Sequence, residues 1–532
     1  MDDPDTCSEA DVSGPFASSR ASATVAPGDA VTDASTTGAS TTGASATDDP
    51  ATGDSVSVVP IRGVVRRQAL RTITVAWIFG AIWMTATAGA PLTLFAQHLG
   101  ASEFQFGLLA AMPFLASLLS LPASLVTEHT GHRKGVFFAG LYTQRLLWIP
   151  VSLVPLWLAM NRGIESGLAI AVFLVLVFLM HAGQAVGGPA WVNWMADIVP
   201  ARARGRYFSR RRQLGIISAV PTAVVVGLVL DHDRHADPMT VLTCVACIFL
   251  VAMVPGVIDI ALFHRVPHEV KTKPSVPLRR LLLRPLRDPP FLWFGGFVAT
   301  LVFAVSFMGQ FITLFLIQKL NVSNIGTQLM LLSVPMLAQM LVLPMWGRVV
   351  DRMGKKPALV IAALGLVPVG MGWCLMNSGA IWLGYLLSAL GAALWVGVEA
   401  ANLDLILEFG SSGEDDEGGG ASYVALNSVI INIAGFLGGI SSGLVATWLR
   451  DWTWDSGISW LAPFSYFEVL FFLSAMMRLV AVAVFLPRVH EHDARPTLVA
   501  LRFMTSNFYD NLNSALSQPL KLLRRRRNRG RS

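Results

Sequence analysis

The sequence predicts an all-α integral membrane protein with about twelve transmembrane helices, arranged as two pseudo-symmetric six-helix bundles. Composition is the first reason: 53% of the 532 residues are hydrophobic and 14% are charged. Soluble domains average about 25% charged residues. A chain with so few charges cannot cover a water-facing surface, but it suits a hydrocarbon solvent. The second and third reasons are the apolar runs and a loop that occurs twice.

Apolar runs of about 20 residues, the length needed to cross a bilayer as a helix, occur about twelve times. The first six predicted spans are roughly 72–97, 104–126, 135–158, 167–193, 213–230 and 240–264. The second six are roughly 291–318, 325–346, 357–376, 381–405, 424–449 and 464–487.

The two sets of spans repeat one another. Gly131 and Gly354 are 223 residues apart, and Arg265 and Arg488 have the same separation. A conserved offset indicates a duplicated unit, and two parallel six-span repeats are typical of one class of transporter.

The repeat and the flanking composition divide the chain into five predicted segments. A Ser-, Thr- and Gly-rich tail, which we expect to be disordered, is followed by the first bundle, a basic linker, the second bundle and a last tail. Their predicted bounds are 1–58, 59–264, 265–290, 291–487 and 488–532.

Charge predicts the orientation. With the N-terminus inside, only four of the 40 Lys and Arg residues fall in outer loops, in agreement with the positive-inside rule. The N-terminal tail has no basic segment followed by an apolar one, so we do not expect it to act as a secretory signal. We expect both termini to be cytoplasmic and the membrane to be a bacterial inner (plasma) membrane.

The loop after span eight contains Gly347, Asp351, Arg352, Gly354, Lys355 and Lys356. Their spacing is Gly, three residues, Asp-Arg, one residue, Gly and two basic residues. This loop resembles the signature loop of the major facilitator superfamily, which has the same pattern. The loop after span two keeps Gly131 and Arg133, has Glu128 in place of the Asp, and has lost the first Gly and the first Arg.

The resemblance implies that these loops act as a gate. In such transporters the loop carboxylate meets the start of a helix in the other half, where the helix dipole favours negative charge. Asp351 would then approach the start of span five, near Arg210 and Arg211, and Glu128 the start of span eleven. The loop bases would pair with Asp197 and Asp404, at the inner ends of spans four and ten. The alternative is that these bases only reflect the positive-inside rule.

Ionisable groups inside spans are costly and are therefore candidates for function. Arg145 and Asp259, on spans three and six, are expected to form a structural brace, and Arg478 could form a second pair with Glu399. The resemblance places spans one, four, seven and ten around a central cavity. The substrate or proton candidates are His181, Gln184, Glu399 and Gln310. Hydrogen bonding between helices is the alternative role for His181 and Gln310.

One polar segment lies within the second bundle and another follows it. An acidic, Gly-rich loop at 408–420 has no Lys or Arg. After Pro496, apolar residues recur at helical spacing and precede Arg524–Arg527, which predicts an interfacial helix and a polybasic anchor for anionic lipid. We expect no nucleic acid partner, because the basic run adjoins a membrane.

These features favour a secondary active transporter of a small solute that works by alternating access, with proton coupling left open. One alternative is a lipid flippase or drug exporter on the same fold, which lateral openings and a weakly charged cavity would favour. Another is a membrane sensor or assembly factor without transport. We expect no enzyme activity, metal or cofactor, since no nucleotide-binding loop or catalytic constellation stands out, and we expect a monomer.

Overall fold

A computed structural model describes residues 63–164, 167–200, 203–268, 283, 285–411, 419–455, 457, 463–489, 491 and 495–506, without the side chains of residues 128, 205, 206, 411 and 419. The predicted tail 1–58, most of the basic linker, the acidic loop and the polybasic end fall wholly or largely outside these residues.

Twelve helices in the described part are long and apolar enough to cross a membrane, which confirms the predicted number. In chain order, α1 to α12 span Val64–His98, Glu103–Thr127, Arg133–Arg162, Leu168–Ile198, Tyr207–His232, Pro238–Arg265, Pro289–Lys319, Asn324–Met353, Lys355–Cys374, Ile381–Gly410, Gly420–Trp448 and Tyr466–Arg488. A further short helix, α13, spans Thr497–Ser506.

The helices are longer than the apolar runs mainly at one end of the bundle. We call this the basic end; α1 begins and α12 ends there, and the opposite end is the far end. At the basic end α1 begins at Val64 and α8 continues to Met353. Arg and Lys are good helix formers, so the helix continues beyond the apolar stretch that predicts the hydrocarbon-spanning part.

The loops at the two ends terminate helices by different means. At the far end, side chains cap the helix starts: Ser102 caps α2 and Ser465 caps α12, each in a capping box. At the basic end, Gly131 and Gly354 follow α2 and α8 with φ of 67° and 103°. Glycine adopts positive φ without steric cost, so the two repeated glycines have a direct structural reason.

Helices of the first six contact one another closely, with α1 packed against both α5 and α6, and α3 packed along α4. The second six do the same, for example α9 and α10 against each other. Across the two sets, α2 packs along α11 and the far-end part of α8 packs against α5. The α2–α11 contact is very close, because a Cβ on Gly107 would lie 2.5 Å from the Cα of Gly443.

Candidate gates and transport path

The signature loop after α8 is held by its own half of the molecule. The Lys355 ammonium lies 2.6 Å from a Glu408 carboxylate oxygen on α10. Glu491, after α12, accepts hydrogen bonds from the backbone N–H groups of Lys355 and Lys356 at 3.0 and 2.7 Å. The Glu491 carboxylate therefore caps the N–H groups at the start of α9, which have no partner within the helix. Arg352 lies over the Phe503 ring of α13.

Asp351 itself is exposed, and it makes no hydrogen bond or ion pair with any residue that the structure describes. Its predicted partner Arg211 is turned toward the interior of its own half. The Arg211 guanidinium carbon lies 4.2 Å from the centre of the Trp77 ring and 4.9 Å from that of Trp191. Arg210 is exposed. The contact expected between Asp351 and the start of α5 is not made in this conformation.

The loop after α2 is also tied within its own half. Arg133 forms the expected ion pair with Asp197 of α4. Lys134 donates to the backbone carbonyls of His264 and Val266 at 3.1 and 3.3 Å. The side chain of Glu128 lies outside the described part, so its approach to α11 stays a prediction.

The second loop pairing differs from the expected one. Lys355 bonds Glu408, while Asp404, one turn earlier on α10, lies near enough to interact electrostatically with both Lys355 and Asp351. Residues four apart share a helix face. The sequence therefore predicted the correct face of α10, but the ion pair forms one turn further along the helix.

At the far end, hydrogen bonds cross between the two halves. The Asp231 carboxylate, at the end of α5, accepts from the backbone N–H groups of Asn324 and Ile325 at 2.6 and 3.1 Å. These groups begin α8, so a negative side chain of the first half caps a helix of the second half. Arg234 donates to the carbonyl and the side-chain oxygen of Asn321 at 2.6 and 2.5 Å. We call Asp231, Arg234 and the start of α8 the far-end latch.

A break in α1 adds to this closure. Gly89 has φ of 73° and interrupts the helix, which leaves the preceding Ala88 carbonyl to accept a 3.3 Å hydrogen bond from Gln328 of α8. Thr93 lies 3.4 Å from Gln310 of α7. The sequence signal was available, since Gly89 followed by Ala90-Pro91 marks a helix restart, but the predicted first span runs through it.

Inside the first half, the expected brace is present. Arg145 lies 3.3 Å from Asp259 and stacks on Trp83, with 3.5 Å from its guanidinium carbon to the ring centre. A relay leads from this pair toward α4: Arg145 donates to Gln144 at 2.5 Å, and Gln144 donates to Gln184 at 2.7 Å.

The relay determines which polar atoms of the Gln184 side chain remain available to a further partner. Arginine can only donate, so the Gln144 oxygen must face Arg145 and its NH2 group must face the Gln184 oxygen. The exposed Gln184 amide is therefore left with its own NH2 group for a further partner.

His181 and Glu399, two further candidates for the transport path, lie at a depth close to that of Gln184. His181, one turn away on α4, is half-buried, and Glu399 on α10 is exposed and accepts a 2.8 Å hydrogen bond from Trp395. Gln184 and Glu399 lie about 24 and 27 Å from the far ends of their helices, at about 1.5 Å per residue. Gly188, beside Gln184, has open space where a Cβ would be.

Arg478 does not meet Glu399. It is buried, donating to the Leu366 carbonyl of α9 at 3.0 Å and contacting the Met308 sulfur at 2.8 Å. Arg478 and Glu399 lie at similar depths along their helices, but Arg478 lies on the face of α12 that packs on α9 and α7, away from α10. Among the described residues there is no group of three potential metal ligands.

Several solved transporter structures share this fold. A point mutant of the nucleoside transporter NupG is 13% identical, with 80% of this chain and 100% of that chain covered at a TM-score of 0.57. A bacterial homologue of the human lysosomal transporter Spinster is 14% identical, with 80% and 97% covered at 0.56. A D-xylose-proton symporter is 15% identical, with 80% and 98% covered at 0.55.

No curated protein matches the sequence. The family comparison is more direct, since the sequence matches the Major Facilitator Superfamily over residues 72–414, which is more than half of the chain and includes both signature loops. The protein is therefore an integral multi-pass membrane protein that belongs to the Major Facilitator Superfamily.

Proposed function

We propose that the protein moves a small solute by alternating access and that the conformation described above is its inward-facing state. The observation that carries this proposal is the contrast between the two ends. Several hydrogen bonds of the far-end latch join the halves. On the basic side Arg212 of α5 donates to Gln339 of α8, but Asp351 of the signature loop is exposed. The excess of Lys and Arg at the basic end supports a cytoplasmic position for that end. Both termini then lie on the cytoplasmic side of a bacterial plasma membrane.

In the outward-facing state the latch opens and the signature loops close the basic end. Asp351 then meets the start of α5, near Arg210 and Arg211, and Glu128 meets the start of α11. A carboxylate at a helix N-terminus contributes about 0.3–1 kcal/mol, and up to about 2 kcal/mol when partly buried. Contacts of this size suit a gate, because they hold one state without preventing the other.

The solute site lies between α4 and α10, at the depth of Gln184 and Glu399. Gln184 supplies N–H donors, oriented by the Arg145 relay, and Glu399 supplies a carboxylate from the other half. His181 and Glu399 are the candidates for carrying a proton, and Gln310 lies on the far-end side of the site. The same proposal includes a monomer and an anionic lipid contact for the C-terminal polybasic segment.

The test begins with purified protein and a metabolite and drug panel. Binding of a solute to the folded state raises its thermal stability, and each hit is then assayed for uptake into liposomes with and without a pH gradient. We expect at least one hit to be transported, and Glu399→Gln to remove its dependence on the gradient. A broad panel that gives neither stabilisation nor flux would contradict transport and favour the sensor alternative.

A further inference from the structure

The first half contains an open crevice between α5 and α6. The two helices are joined by the short loop 233–237, yet each packs against α1 far more than against the other. The space between them is a cavity of about 910 Å³. Ile82 and Ala86 of α1 form its floor. The gates and the proposed solute site do not use it.

The walls of the crevice are apolar. Val225 of α5 and Val251 of α6 line it and are 59% and 71% exposed. Thr222 and Thr243 also line it, but each hydroxyl donates to a carbonyl four residues earlier in its own helix, at 2.8 Å. These threonines therefore present methyl groups, and the walls recognise hydrocarbon rather than polar atoms.

The crevice has the position and depth of a membrane site. Its mouth is at Asp233 and Asp237, in the far-end loop, and its lining reaches Pro255. Pro255 is about 26 Å along α6 at about 1.5 Å per residue, and the hydrocarbon core of a bilayer is about 30 Å thick. A cavity between two membrane-spanning helices, with exposed apolar walls, is accessible to the acyl chains around it.

The surroundings determine the occupant. The crevice is open to the bilayer, and ordered water needs polar partners that its apolar walls lack. A hydrocarbon chain needs no such partners and can enter from the surrounding lipid. At the mouth, Asp237 is engaged by Thr240, at 3.0 Å to the backbone nitrogen and 2.7 Å to the hydroxyl. The Asp233 carboxylate lies within hydrogen-bonding reach of the Cys244 thiol, and its negative charge favours a cation at the mouth.

We propose that this crevice binds one phospholipid from the far-end leaflet, with an acyl chain between α5 and α6 and an ammonium headgroup at Asp233. The α5 wall continues into the far-end latch at Asp231, so the bound lipid supports that helix from the side facing away from α8. The proposal concerns binding of a lipid at a fixed site and does not depend on which solute is transported.

The first test uses native mass spectrometry of the full chain with phosphatidylethanolamine and phosphatidylglycerol of identical acyl chains. The wild type should retain one phosphatidylethanolamine, and Val225→Trp should weaken its binding by roughly tenfold or more, because the ring would occupy the space between α5 and α6 that the acyl chain needs. Val175→Trp is the matched control, since Val175 on α4 is also 59% exposed, and it should bind as the wild type does. Asp233→Asn should keep a bound lipid but lose the preference for phosphatidylethanolamine.

Equal retention by wild type and Val225→Trp, or equal loss in both Trp variants, would overturn the site. Unchanged headgroup preference in Asp233→Asn would overturn the role of Asp233. A second measurement needs no change in the crevice: Cys247 lines it and is exposed. In a Cys7→Ser background, phosphatidylethanolamine added to detergent-purified protein should slow N-ethylmaleimide labelling of Cys247, as read by peptide mass. An unchanged labelling rate would count against the proposal.

Discussion

The two ends of the helical bundle use the same contact, a carboxylate on the first N–H groups of a helix, for different purposes. At the far end, Asp231 belongs to one half and the start of α8 to the other, so the contact joins the halves. At the basic end, Glu491 and the start of α9 belong to the same half, and Asp351 remains exposed. The difference shows that such a contact becomes a gate only when its two members lie on parts that move apart.

The largest expected effect concerns the close packing that accompanies the far-end latch. In Gly107→Ala the new Cβ would lie 2.5 Å from Gly443, a clash with backbone that should cost about 1–3 kcal/mol of stability. Gly188→Ala is the matched control, because its Cβ meets open space. Thermal unfolding in detergent measures both variants. Equal melting temperatures would show that α2 and α11 are not closely packed in the predominant state.

The second prediction tests the latch directly. Asp231→Asn removes the charge from the α8 N-terminus and should shift the equilibrium away from the inward-facing state by about 1–2 kcal/mol, a factor of about 5 to 30. Labelling of Gly188→Cys by a membrane-impermeant thiol reagent added from the far-end side of sealed vesicles should increase accordingly.

Asp237→Asn is the matched control for the latch, because Asp237 caps α6 within its own half. It should leave the labelling of Gly188→Cys unchanged. If both variants increase labelling equally, the effect is a general loosening of the far-end loops and not the release of a latch.

The third prediction separates the two carboxylates of the basic end. Asp351→Asn should slow solute flux without abolishing solute binding, because the proposed cycle uses Asp351 only in the state in which the basic end is closed. Glu491→Gln should instead lower thermal stability by about 0.5–2 kcal/mol, as loss of a helix cap does, with little change in flux per folded molecule. A wild-type rate of flux in the Asp351 variant would show that Asp351 is not part of the gate.

The smallest effect is a pH dependence at the basic end. Burial lowers the pKa of His268, and the positive charges of Lys134 and Arg133 lower it further. Since the folded state then holds a proton less tightly than the unfolded chain, stability should fall as the pH decreases from about 6.5. His268→Gln should flatten this part of the thermal stability profile. An identical profile would place the acid sensitivity elsewhere.

The sequence was sufficient to predict the membrane-spanning helices and several of their polar contacts. Apolar length predicted the twelve spans, because a hydrocarbon core sets a minimum length for any spanning helix. Depth and charge led to the Arg145–Asp259 contact, and the family resemblance led to the pairing of a loop base with Asp197; both contacts are present. The same reasoning failed for Arg478 and Glu399, since equal depth does not mean facing surfaces.

The sequence by itself determined the family, the number of spans and the glycines that end α2 and α8, because these depend on composition, length and local backbone geometry. The tertiary structure alone decided where hydrogen bonds join the two halves at the far end. Asp231 and Asn324 are 93 residues apart, and no local signal relates them. It also decided that α5 and α6, adjacent in sequence, leave a crevice between them. Packing of helices in a membrane depends on which faces meet, and a sequence of apolar residues leaves many such pairings nearly equal in free energy.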